Sequence, residues 1–138
     1  MNFLFDNNIS FKIANAAREL FQDNKRHIMH LTDKFPANTI DEVWINQLIK
    51  EGNWALISID RFQKNSIEKM ALNNPRLVSF ILKSGWSDIG FYEQAHMLIR
   101  WMPTFIKQAE KKLSGVFSVP IKYSPSKLEQ ISTNVKKK

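Results

Sequence analysis

Apolar positions recur along this chain in two ways, as short continuous runs and as stripes with a period near 3.6, and their alternation predicts strands separated by helices. Asn2–Phe5 is a run of strand formers that stops at the turn cluster Asp6-Asn7-Asn8. Ser10 stands where it can cap a helix striped by Ile13, Ala17, Leu20 and Phe21, which ends near Asp23-Asn24. Residues 26–31 read as a second strand, stopping at Thr32-Asp33 before a loop at Pro36. Asp41-Glu42 then opens a helix with Ile45, Leu48 and Ile49 on its core face and Gly52-Asn53 as its stop. Trp54–Ile59 is the clearest buried strand and runs straight into Asp60.

Beyond Asp60 the pattern predicts a short helix over residues 66–72, closed by Asn73-Asn74-Pro75, and a fourth strand at Leu77–Leu82. A glycine-bearing loop covers residues 84–90. The longest helix is expected over residues 91–113, kinked at Pro103, with Ala95, Leu98, Met102, Phe105, Ile106 and Ala109 buried. Residues 116–122 read as an edge strand that tolerates Pro120, and residues 124–138 as a basic, flexible tail. This order defines an α/β three-layer sandwich around a mainly parallel sheet of four or five strands, in one domain over residues 1–123. Ligands of such sheets sit beyond the carboxyl ends of the strands. By that rule Asp6, Asp33, Asp60 and Asp88 share one rim, and Asp41 and Glu42 begin a helix there.

Composition sharpens this. With 43% hydrophobic and 24% charged residues the chain can build a core, and its lack of cysteine excludes disulfides, thiolate nucleophiles and cysteine metal sites. No apolar run approaches the roughly 18 residues of a membrane span, and Asp6 comes too early for a secretory signal, so a cytoplasmic protein without membrane contact is expected. Residues 1–60 hold six Lys/Arg against eight Asp/Glu, whereas residues 61–138 hold fourteen against five. The acids gather first and the bases second, a division suited to holding divalent cations and gripping a polyanion.

Clustered carboxylates repel one another, and a hard cation such as Mg²⁺ or Mn²⁺ relieves that repulsion. Taken singly, an aspartate at a strand end more often caps the next turn. His27 and His30 point to opposite faces of their strand and cannot share a metal, and His96 reads as a packed or surface residue. Trp44, Trp54, Trp86 and Trp101 read as core or rim packing, with Trp86, near Lys83, also placed to stack on a base. There is no Ser/His/Asp nucleophile pattern, phosphate-binding glycine loop or dinucleotide fingerprint.

The succession FLFDNNIS, HLTDKFP, DEVWINQLIKEGNWALISIDRF and GWSDIGFYEQA resembles the PIN-like family of toxin ribonucleases, particularly a small bacterial group, over most of residues 2–110. The resemblance rests on Asp6 ending the first strand, on Asp41 with Trp44 at a helix start, and on Asp60 ending ISID. It implies an Mg²⁺- or Mn²⁺-dependent endoribonuclease, the toxin of a type II pair with a cognate antitoxin protein and RNA as substrate. Asp6 and Asp60 would ligate the metal from strand ends, and Asp41 would be the third catalytic acid, with Glu42 as its rival. The further acid usual in the family has no clear match, and Asp33 stands nearest to it. Asp88 and Glu93 are further candidates, and homo-oligomerisation stays open. Two other readings remain: a phosphoacceptor signalling domain using a strand-end aspartate with Ser84 and Lys122, and a non-catalytic basic RNA-binding module.

Overall fold

A computed structural model describes residues 1–59, 74–111 and 114–131. The elements are β1 (Asn2–Phe5), α1 (Phe11–Phe21), β2 (Ile28–His30), α2 (Leu31–Lys34), α3 (Asp41–Glu51), β3 (Trp54–Ile59), β4 (Leu77–Leu82), α4 (Phe91–Lys111), β5 (Gly115–Val119) and β6 (Glu129–Ile131). Among the described residues they build one six-stranded sheet in the order β2-β1-β3-β4-β5-β6, parallel except for β6. The mainly parallel α/β sandwich expected from the periodicity is present. The sheet is wider than expected: residues 129–131, read as part of a loose tail, pair antiparallel with β5, which is therefore not an edge. Three exposed residues carry too little apolar pattern to announce a strand. The expected helix over residues 66–72 lies outside the described residues.

Strand alternation divides the core into two layers. Phe3, Phe5, Ala55, Ile57, Val78 and Phe80 face α1 and α4, whereas Leu4, Leu56, Leu77 and Val116 face Trp44, Ile45 and Leu48 of α3. The central strands β3 and β4 are buried along their whole length, which is why they read as continuous apolar runs. Ser10 caps α1 by accepting the Lys12 N–H at 3.1 Å. The stripe of α1 is narrower than the sequence suggests: Ile13, Ala14 and Ala17 are buried, but Leu20 is 63% exposed. At the far end of α3, Gly52 adopts φ 76°, a left-handed turn that favours glycine. Glu51 ties this end to β3 by accepting from the Trp54 indole at 2.7 Å and from Lys34 Nζ at 3.0 Å. A bond from Gln47, then those from Lys34 and Trp54, hold its carboxyl below the usual range.

Strand order marks a candidate crevice. From β1 the chain moves outward to β2 and then crosses back past β1 to β3, with α1 on one face and α3 on the other. The direction of winding thus reverses between β1 and β3, and ligands of open α/β sheets bind outside the carboxyl ends of the strands at such a point. The helices run back against the strands, so α1, α3 and α4 all begin on that same rim.

Candidate active site at the β1–β3 switch point

Asp6 follows directly on β1, and its N–H continues the ladder to the Ile57 carbonyl at 2.9 Å. Alternation turns its side chain to the α3 face, as for Leu4 two residues earlier, and the residue is wholly buried. Oδ1 accepts the Asn7 N–H at 2.5 Å and Oδ2 accepts the Ser58 hydroxyl at 2.6 Å, so the carboxylate bridges the ends of β1 and β3. The next loop residue fixes the crevice from the other side. Asn8 pairs its amide with the backbone of Ile59, donating through Nδ2 to the carbonyl at 3.1 Å and accepting the N–H at 3.3 Å. A side chain thereby does what another strand residue would do, and the strand ends are locked together. Asn7-Asn8 also occupy the place where a phosphoacceptor domain would need a second acid beside Asp6.

Asp41 enters from the helix side. Its spacing to Trp44, Ile45 and Leu48 puts it on the sheet-facing side of α3, and Oδ1 accepts the Trp44 indole N–H at 3.1 Å. Trp44 is fully buried, which fixes the acid's position on the rim. Glu42, beside it, is exposed. Asp60 follows Ile59 in the chain and lies outside the described residues, so its expected place at the end of β3 rests on sequence alone. Asp88 and Glu93 are exposed, on a 3₁₀ turn after β4 and in the first turn of α4.

Asp33 does not end a strand. β2 stops at His30 and the chain turns at once into α2, where Asp33 accepts the His30 N–H at 2.9 Å as half of a capping box and pairs with Arg18 at 3.3 Å. His30 supplies the other half: Nε2–H donates to the Ile9 carbonyl at 2.8 Å, leaving Nδ1 to accept the Thr32 N–H. Periodicity could not show a helix of one turn, and the signal for it was the histidine three residues before an acid. Asp33→Ala should therefore lower stability by about 1 kcal/mol, measured by thermal unfolding.

His27 and His96 are exposed. Trp86 is fully buried, its indole N–H donating to the Val119 carbonyl at 3.1 Å, so it is core and not a stacking platform. Exposed Lys12, Lys83 and Lys122 stand on the rim, at the start of α1 and just past β4 and β5.

The profile of a PIN-like domain matches residues 1–84, more than half of the chain, and the chain belongs to that family. Such domains are generally nucleases that use divalent metals. No curated protein and no solved structure matches the chain. Among the described residues no group of three or more His, Asp or Glu is placed to hold a metal ion. The donor chemistry fits a hard cation nonetheless, since a carboxylate and amides line the crevice and the chain has no cysteine thiolate. Asp6 and Asp41 face the same layer of the sheet. No helix among the described residues is long and apolar enough to cross a membrane.

Proposed function

We propose that this protein is a metal-dependent endoribonuclease and the toxin of a toxin–antitoxin pair. The observation that carries the reading is the wholly buried carboxylate of Asp6, held between the ends of β1 and β3 at the point where the fold reverses its winding. Asp6, Asp41 and Asp60 would hold Mg²⁺ or Mn²⁺, with Glu42 the nearest alternative to Asp41. Bound there, the ion supplies an activated water and neutralises charge on the phosphodiester. The chain's own residues do the rest: Ser58 and the Asn7 N–H keep the Asp6 carboxylate oriented, Asn8 keeps β3 in register beside it, and the rim lysines attract the RNA backbone. A cognate antitoxin would occlude this same rim with an acidic or apolar segment, so adding it should remove binding and cleavage together.

The test joins metal and RNA. Millimolar Mn²⁺ should raise the melting temperature and give a heat of binding, because it relieves repulsion among gathered carboxylates. Asp60→Asn should weaken metal binding, keep or raise metal-free stability, and bind RNA without cutting it, with affinity falling linearly in log salt. Protein that takes up metal but neither binds nor cuts single-stranded RNA at low salt would sink the reading. Labelling of Asp60 by acetyl phosphate would then favour the signalling alternative.

A further inference from the structure

Beside Asp6 lies a cleft of about 260 Å³ between α2 and the start of α3, lined by Asn7, Leu31, Thr32, Phe35, Pro36, Ala37, Asn38, Thr39 and Asp41. We propose that it seats one nucleobase, and that in a bound RNA strand this is the base next to the cleaved phosphate. The inference rests on the ribonuclease reading for its second half and on the cleft's own chemistry for its first.

Three features of the lining lead to a base. Neither lysine nor arginine contributes, although the chain carries 20 of them, so the cleft is not built for phosphate. Apart from the Asp41 carboxylate, an acceptor at the rim, the polar groups present are amides and hydroxyls, the neutral donor and acceptor pairs that read base edges, beside the ring of Phe35 and the flat face of Pro36. No hydrogen bond is made within the described residues by the side-chain amides of Asn7 and Asn38, whereas Asn8 is wholly engaged with Ile59. The volume falls below the roughly 300–1,000 Å³ of sites for drug-sized ligands, which suits a single ring system and not a length of strand.

Position ties the cleft to the site. Asn7 lines it while its own N–H donates to Asp6, so a base held by the Asn7 amide sits one residue from the buried acid. The outer wall is held in an uncommon conformation. Asn38 has φ 71° at the tip of a turn closed by the Thr39 hydroxyl donating to the Pro36 carbonyl at 2.6 Å. An asparagine in the left-handed region is among the few residue types that tolerate it, and the backbone costs of such positions cluster at ligand clamps.

The experiment uses the full chain labelled with ¹⁵N, titrated separately with adenosine, guanosine, cytidine, uridine and ribose 5-phosphate. At least one nucleoside should shift the side-chain amide resonances of Asn7 and Asn38 to saturation, and ribose 5-phosphate should not. Asn38→Gly, which keeps the positive φ and removes the amide, should weaken that binding about tenfold. Failure of every nucleoside to move these resonances, or movement by ribose 5-phosphate alone, overturns the proposal. Cut sites are then mapped on an RNA of random sequence. Loss of base preference beside the cut in Asn38→Gly, about tenfold in the ratio of kcat/KM values, places the base in the strand. An unchanged preference in an active variant overturns that placement and leaves a site for a free nucleoside. If the wild-type protein cuts no RNA the ribonuclease reading fails, and the nucleoside titration alone decides the cleft.

Discussion

On the proposed ribonuclease reading, Asp6→Asn should lower metal-dependent RNA cleavage on the order of 100-fold or more, because it removes a charged ligand from the ion that would activate the water. The same substitution should cost only about 1–3 kcal/mol of stability. Asparagine keeps an oxygen for the Asn7 N–H, but its amide nitrogen cannot accept from the Ser58 hydroxyl, which then has the Ile59 carbonyl, already 3.2 Å away, as its acceptor. Activity and stability therefore separate. Single-turnover cleavage at saturating Mn²⁺, read beside a thermal melt, checks both. A variant that loses stability yet cuts at the wild-type rate would show that the buried acid is structural only.

Trp86→Ala should destabilise the protein by about 3–5 kcal/mol, the usual cost of emptying a site filled by a large buried ring. The indole lies on a 3₁₀ turn that folds back over the ends of β4 and β5, and its N–H shares the Val119 carbonyl with the Lys83 N–H. Gln94 anchors the same turn to the first turns of α4 by donating to the Trp86 carbonyl at 2.9 Å. Denaturant unfolding gives the stability change, and on the proposed ribonuclease reading the RNA affinity of the folded fraction should match the wild type. Normal stability combined with weakened RNA binding would instead make Trp86 an exposed base-stacking residue and contradict its burial.

Much of the candidate site was legible because its residues follow from local rules. A strand-end aspartate was marked by the apolar run that stops at Asp6, and the helix that begins at Asp41 was marked by paired acids followed by Trp44, Ile45 and Leu48. The resemblance carried by these segments and the family they belong to agree. Errors arose where a residue's role is set by something distant. Leu20 satisfies the stripe of α1 yet is left exposed, and Asp33, read as the end of β2, serves as a cap because His30 stops the strand early. Asn8 gave no signal, since its pairing with Ile59 joins positions 51 residues apart.

By itself the sequence determined the alternation of strands and helices, the two faces of the sheet and the aspartate that ends β1, since periods of two and 3.6 residues are properties of the chain's own geometry. Tertiary structure decided the rest. It set the strand order that places Asp6 at the reversal between β1 and β3, and the burial of Trp86. It also admitted Glu129–Ile131 to the sheet and brought Asn7 and Asn38 to one cleft. Each of these depends on which distant segments come to lie together, and that is fixed by burial shared among them, which no local pattern records.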